Sequence, residues 1–446
     1  MKKIIIIFSI VGLSIQGNAQ KKWTLRECVE YALQNNISVL QSELDVSDAK
    51  IDKSDALMNF LPSLNASGNY GVNTGANINP ATNQFENSTF RSANGSISSG
   101  VNLSSGLSAW RTMQRAKINQ LAAEYRLDKM KDDTALIIAN SFLQILFNKE
   151  QLKIIKGQNK VTKENIKNTQ ELVDAGVLPQ GDLLEIQATD ATQEQQIIDA
   201  ENNLFISKLG LAQALQLKDY ESFDIVDEDY TLIASTILDK SAAEISEKAK
   251  EEVNDVKIAQ TNFELAEKDL QLARSNYYPT LSGFFQYNTR WASTSINPLT
   301  GESIPFIDQL YLFDGTSIGL QLSIPIFNRL STRNNVKRRK VNIQRLKNQL
   351  EQTKLDLEST VYQAYNDAKN SKKTYEAALK SEEARRLAFE YAKERYDVGL
   401  SNAFDFNQSR TAYENSQSDV VRTKYDYIFR LKILEFYFGI PIANID

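Results

Sequence analysis

Histidine is absent from the 446 residues and cysteine occurs once, at Cys28. Those two counts remove Ser-His-Asp and Cys-His nucleophile systems, zinc-protease motifs and histidine metal sites, and they exclude disulfides within one chain. No Gly-rich phosphate loop or nucleophile box is present either, so no catalytic, cofactor or metal set is expected and an enzyme is the least favoured class. What remains is a pair of short segments. Asp174-Ala175-Gly176-Val177 is followed by Asp182, and Asp397-Val398-Gly399-Leu400 by Asp405, offset by 223 residues. A glycine closing a long helical pattern reads as a left-handed C-cap. The aspartate after it reads as a charge complementing the dipole in the first turn of the next helix. Such residues make and break no bonds; they build a turn and set a negative charge beside it.

The elements that position these turns are themselves written twice. Thr24-x-x-Glu27, opening a helical pattern that ends at Pro62, recurs as Ser241-x-x-Glu244 ending at Pro279, offset 217. Gly100-Val101-Asn102-Leu103-Ser104 recurs as Gly319-Leu320-Gln321-Leu322-Ser323, offset 219. Three anchors in one order mark a tandem structural repeat. Both copies open with a capping box and a helix pair. Long helical patterns follow later, from about Leu107 to Asp174, broken only by Gly157, and from Phe327 to about Asp397, each roughly 100 Å long at 1.5 Å per residue. Shorter return helices run from about Asp182 to Leu217 and from about Ala403 to Phe438. Helices of this length call for side-by-side helical packing.

Between the helices the period changes to two. Leu64, Ala66, Gly68, Tyr70 and Val72 alternate with serine, asparagine and glycine, as do Ile97, Val101 and Leu103. Leu281, Phe285, Tyr287 and Trp291 oppose Ser282, Gln286, Asn288 and Arg290, and Ile318, Leu320, Leu322 and Ile324 oppose Ser317, Gly319, Gln321 and Ser323. Expected strands are therefore about 63–74, 94–105, 280–292 and 314–324. Their length and dyad pattern suit barrel strands with a lipid face formed by Leu64, Tyr70, Val101, Leu103, Leu281, Phe285, Tyr287, Leu320 and Leu322. A half-buried sheet on a soluble core is the competing reading. The connections Gly75 to Ser92 and Ser293 to Asp314 read as long outer loops.

Lys2 and Lys3, an apolar run to about Ile15 and Gly17-Asn18-Ala19 form a signal peptide over 1–19, with a signal anchor as the alternative. That run is too short to span, and no other long apolar stretch exists, so any membrane crossing is expected of strands. Lys and Arg number 51 against 56 Asp and Glu, a net charge of −5, with no basic face suited to nucleic acid. Arg111, Arg115 and Lys117, and Lys337 to Lys340, each follow a strand and read either as a solvated helix face or as a headgroup-level belt. Cys28 falls on the apolar stripe of the first helix and reads as a small core residue. Residues 218–240, acidic at Asp224, Asp227, Glu228 and Asp229, read as a surface linker with no site attached. They separate a first repeat, 20–217, from a second, 241–446.

On the duplication, the strand pairs and the two turn motifs, above all Tyr396-Asp397-Val398-Gly399-Leu400 with Asp405, the chain resembles the TolC family of outer-membrane efflux ducts. The resemblance covers essentially all of the mature sequence. It implies a mainly α fold with a membrane β-barrel: a trimeric 12-stranded barrel in the outer membrane on a long α-helical barrel in the periplasm. It implies no cofactor, and as partners two further copies, outer-membrane lipid, a periplasmic adaptor and an inner-membrane pump of RND, ABC or MFS type. The exposed turns Ala175, Gly176, Val177 and Val398, Gly399, Leu400 are then adaptor-docking tips. Asp405 lines the periplasmic gate, with Asp182 as a weaker candidate. The family's second acidic gate position is Gln408 here, which puts a double acidic ring in doubt. Four strands cannot close a barrel alone, since single-chain barrels begin at about eight strands; two chains or three would suffice, and the number three comes from the resemblance. A trimeric adhesin with a strand anchor and a periplasmic adaptor are the other classes. The first groups its strands at the C-terminus and the second flanks one hairpin with β-domains, and neither pattern is present.

Overall fold

The computed structural model describes residues 22–78, 84–227, 236–297 and 299–440. The expected signal peptide and the linker residues Glu228 and Asp229 lie outside these. Among the described residues no helix is long and apolar enough to cross a membrane. After a two-residue strand β1 (Lys22–Trp23), the first copy runs α1 (Leu25–Asn35), α2 (Ile37–Met58), β2 (Ser63–Ile78), β3 (Phe85–Ser105), α3 (Ser108–Asp174) and α4 (Gln180–Ala214). A second short strand, β4 (Asp224–Ile225), precedes the second copy: α5 (Ala242–Glu252), α6 (Asn254–Ser275), β5 (Thr280–Ala292), the short α7 (Phe306–Leu312), β6 (Gly315–Ser323), α8 (Ser331–Asp397) and α9 (Ala403–Tyr437). The chain is mainly helical. The four principal helices have 11, 22, 67 and 35 residues in both copies, so the helical part of the repeat is conserved to the residue between them. The second rod begins at Ser331 rather than Phe327, because Arg329 and Leu330 take left-handed φ values of 55° and 62° that a helix cannot include.

Two compact units divide the chain, and each draws on both copies. One takes Met1–Ser42, Leu127–Asn254 and Lys354–Asp446 as far as these are described, the other Glu43–Arg126 and Asp255–Thr353. In the first unit Thr24 and Ser241 cap α1 and α5 as full capping boxes, their hydroxyls accepting from the Glu27 and Glu244 N–H groups at 3.2 Å. The apolar stripe of α1, Leu25, Cys28, Val29 and Ala32, packs with Ile138, Phe142 and Ile145 of α3 and Leu211 of α4 into one buried cluster. Cys28 is a fully buried core residue, as its place on the stripe implied.

The acidic linker is more than a surface connection. Phe223 and Ile225 are buried in that same cluster, and β4 pairs in parallel with β1. Lys149 Nζ lies 2.9 Å from Asp224 and 2.6 Å from Asp227, while Lys208 reaches Asp224 and Lys22 reaches Asp227, each at 2.9 Å. Burial works to raise the Asp224 carboxyl, but the Lys208 and Lys149 ammonium groups outweigh it and hold it below the ordinary carboxylate range. Hydrogen bonds from Lys149 and Lys22 do the same for Asp227. The carboxylates expected to be solvated instead clamp the linker to α3 and α4.

The second unit carries a four-stranded antiparallel sheet in the order β2-β3-β5-β6. The first hairpin is longer than expected: backbone pairing continues from Ser63↔Gly100 out to Ile78↔Phe85. The stretch Gly75 to Ser92, read as loop from its Asn and Thr content, is therefore largely strand. Polar cross-strand pairs such as Thr74 with Thr89, hydroxyls 3.0 Å apart, supply the contact that apolar residues supply lower down. The register aligns the dyad pattern of all four strands. Tyr70↔Ala93↔Trp291, Val101↔Gly283↔Leu320, Leu281↔Leu322 and Phe285↔Ile318 stand on one face, and Asn69↔Asn94↔Arg290 and Ser282↔Gln321 on the other. Leu103 occupies a bulge between Asn102 and Ser104, yet its side chain still converges with those of Val101 and Leu320 over Gly283. Leu320 and Ile318 are 68% and 83% exposed, so among the described residues no helix of this unit covers the apolar face at these positions. Phe284 breaks the alternation: it stands on the polar face and lies across Gly319, where a Cβ would come within 2.8 Å of its ring. Part of each basic cluster is tied to α6, while Lys337, Arg338 and Lys340 are exposed. Arg115 and Arg339 both pair with Asp269 of α6, at 2.5 and 3.2 Å, and Arg111 donates to Gln271 O and Ser275 Oγ.

Candidate functional site at the helical hairpin turns

The first unit contains both turns singled out in the sequence, one joining α3 to α4 and the other α8 to α9. They end the long helices identically. Gly176 and Gly399 take φ values of 74° and 75°. The Gly176 and Val177 N–H groups bond to Val173 O and Leu172 O, both at 2.9 Å, and those of Gly399 and Leu400 to Tyr396 O and Arg395 O at 2.9 and 2.7 Å. This two-bond closure satisfies the last carbonyls of each rod. A Cβ on either glycine would meet nothing within 4 Å, so the backbone angle, not crowding, requires glycine. Ala175, Gly176, Val177, Val398, Gly399 and Leu400 are all exposed. Val177 at 66% and Leu400 at 71% thus present apolar side chains on rigid caps.

The helices that follow start differently. α9 has a side-chain cap, the Asn402 carboxamide oxygen accepting from the Asp405 N–H at 2.8 Å, whereas Pro179 gives α4 none. Asp405 and Gln408, three residues apart in the first turns of α9, are exposed; Asp182 is half-buried. The structure brings Asp182 to the other hairpin, where its carboxylate adds to burial in holding the Tyr396 hydroxyl above its ordinary range.

Behind the exposed residues lies a buried cluster that the sequence reading missed. Tyr396 stacks on Phe406 with centroids 4.9 Å apart, and Phe389 packs against both Phe406 and Tyr413 at 5.7 Å. Arg410, 2% exposed, stands over the Phe406 ring at 5.8 Å and pairs with Glu414 at 3.7 Å. Its Nε and Nη1, and the Asn407 carboxamide, have no hydrogen-bond partner among the described residues. Burial pushes the Glu414 carboxyl up despite the Arg410 guanidinium and the Gln193 amide, which donates to it at 3.4 Å. Burial lowers Arg410 in turn. Arg410 and Glu414 border a cavity of about 320 Å³. The signal was present: Phe406, Arg410 and Glu414 recur at four-residue spacing, a core stripe carrying charges. The corresponding residues of the first hairpin, Leu183, Gln187 and Ala191, bear none.

The model of the outer membrane efflux protein family matches residues 28–216 and 245–439, two stretches that coincide with the two copies. This chain belongs to that family. It is therefore an outer-membrane protein. Outer membrane protein TolC of Vibrio cholerae is 21% identical over 438 residues, covering 96% of this chain and 93% of the relative. The proteases secretion protein PrtF of Dickeya chrysanthemi is 22% identical over 336 residues, covering 74% and 69%. Among solved structures, the outer-membrane channel OprN superposes with a TM-score of 0.77 at 16% identity, covering 94% of this chain and 90% of that one.

Proposed function

We propose that three copies of this chain form an exit duct in the outer membrane, each adding four strands to a closed 12-stranded barrel and its helices to a periplasmic tunnel. The observation that carries the proposal is the sheet register. It gathers the apolar strand residues on one face and the mostly polar ones, Phe284 excepted, on the other, and among the described residues it leaves two unpaired edges, at β2 and β6. In hydrocarbon an unpaired edge is prohibitive, and closure by further copies removes it. A periplasmic adaptor docks on the exposed caps at Gly176 and Gly399, and an inner-membrane pump of RND, ABC or MFS type delivers the cargo. Efflux in the family name and protease secretion in that of one relative leave cargo from small molecules to polypeptides within the same duct. At the periplasmic end three Asp405 carboxylates form a single acidic ring that favours cations, Gln408 adding no second one.

Light scattering in mild detergent should give the mass of three chains, and a stable monomer would sink the assembly. In planar bilayers Asp405→Asn should weaken block by multivalent cations and leave the assembled mass unchanged. If conductance, block and selectivity are all unaltered, Asp405 is a helix-start charge only. Channels that never open under any condition would point to an anchor instead of a duct.

A further inference from the structure

The helix α7, in the connection between β5 and β6, is built inside out. A short helix on a water-bathed surface buries its apolar residues and exposes its polar ones. Here Gln309 is fully buried, while Phe306, Ile307, Tyr311 and Leu312 are 48%, 57%, 76% and 61% exposed. The cause lies in the sheet edge. β6 pairs with β5 only as far as Asn288↔Gly315, whereas β5 continues to Ala292. Over those last residues the edge of β5 has no strand beside it, and α7 takes the place of one. Gln309 Oε1 accepts from the Ala292 N–H at 2.9 Å, its Nε2 donates to Ile304 O at 2.7 Å, and Thr289 Oγ1 donates to Leu310 O at 2.6 Å. Gln309 is thus satisfied inward and four apolar side chains are turned outward, with Asp308 the one charged residue that is exposed on the helix, an arrangement suited to a boundary where hydrogen-bonding surroundings give way to apolar ones.

The exposed side of α7 continues an existing apolar surface. Phe306 packs on Trp291 with centroids 5.6 Å apart, and Trp291 stacks on Tyr70 at 6.5 Å. Both Trp291 and Tyr70 belong to the apolar face of the sheet, Trp291 next to the last residue of β5 and Tyr70 midway along the longer β2. Aromatic rings with one polar edge collect at the boundary between headgroups and acyl chains. We infer that α7 is a lipid-contacting anchor: Phe306, Ile307, Tyr311 and Leu312 rest among lipid acyl chains at the headgroup boundary and extend the lipid band past the end of β6. The assignment rests on the barrel reading of the sheet.

The test uses the full chain with an environment-sensitive fluorophore at Tyr311→Cys or, as a second position, Ile307→Cys, with Leu320→Cys as the strand reference and Leu299→Cys as the aqueous one. The buried Cys28 stays in place and the unsubstituted chain serves as the labelling blank. After reconstitution into phosphatidylcholine–phosphatidylglycerol vesicles, nitroxide lipids labelled near the headgroup should cause the largest fluorescence loss at 311 and 307. Lipids labelled deep in the chain should do so at 320, and iodide in the buffer at 299. Quenching of 311 and 307 by iodide alone, with 320 still quenched by deep lipid labels, overturns the anchor and leaves the barrel standing. Shielding of 311 and 307 from lipid and iodide together also overturns it, because a neighbouring copy then covers α7. If 320 itself is not quenched by lipid, the barrel reading fails and the anchor with it.

Discussion

Replacing Leu320 by arginine, and its neighbour Gln321 by the same residue, separates a lipid-facing sheet from a soluble one. The two positions are adjacent in β6 and differ only in the face they serve: Leu320 stands over Gly283 beside Val101 and Leu103, and Gln321 pairs with Ser282 on the polar side. An arginine at the bilayer midplane of a barrel costs about 2–4 kcal/mol. At about 3 kcal/mol the folding equilibrium of one chain falls roughly a hundredfold. Three chains unfolding together multiply the cost to about 6–12 kcal/mol. Gln321→Arg on a wet face should stay within about 0.5 kcal/mol. Denaturant unfolding from phospholipid vesicles, followed by the fluorescence of Trp291 beside Tyr70 in a Trp23→Phe/Trp110→Phe background, reads both midpoints in one assay. The expected result is a large fall for Leu320→Arg and a small one for Gln321→Arg. Equal falls, or the reverse order, would refute the assignment of faces and restore a sheet buried against protein.

Two further outcomes follow from the helical unit. Gly399→Val should destabilise the α8–α9 hairpin by about 1–2 kcal/mol through its left-handed backbone alone, whereas Gly399→Asn, which tolerates that region, should melt like the parent; an efflux defect in the asparagine variant would then report a lost docking contact, and an unchanged melt for valine would dismiss the cap. The Asp224 and Asp227 carboxyls lie below their unfolded range, so the stability they contribute is present above the ordinary carboxylate pKa and lost as pH falls through their folded values. Thermal melting between neutral and acid pH should show this loss in the parent and a flatter profile in Asp224→Asn/Asp227→Asn; identical acid profiles would leave the clamp without a role.

Much of this architecture is legible in the sequence because it repeats. Capping boxes at Thr24 and Ser241, glycine caps at Gly176 and Gly399 and the dyad strands are local signals, each set by the geometry of one turn or one pleat. Long-range partners are not legible. Nothing local distinguishes Asp224, clamped between Lys149 and Lys208, from a solvated linker aspartate, or Arg115, held by Asp269, from a snorkelling one. The first hairpin was misjudged for a related reason: asparagine and threonine mark loops when solvated, yet pair across strands when a partner stands opposite. The buried Arg410–Glu414 pair escaped notice because charges at four-residue spacing normally describe an exposed helix face. Only the neighbouring aromatic residues Phe406 and Tyr413 hinted otherwise.

Why the helices match to the residue between copies while the strands do not has a physical answer. The offset between copies is 217 residues through α1 and α2 and 223 through α3 and α4, so every length difference falls in the sheet region. Rods that pack along their sides must begin and end together, or apolar stripes and caps lose their partners; a one-residue slip rotates a stripe by about 100°. A strand meets a different constraint. On the barrel proposed above it needs only about 9–11 residues to cross the hydrocarbon, and β6, with nine, would do no more than that. On that reading anything longer would project beyond the bilayer, where length is free to vary. The 21 residues of β3 pair with β2 along most of their length. Across the gap left by the shorter β6 the same freedom exposes a strand edge, and in this chain Gln309 closes it.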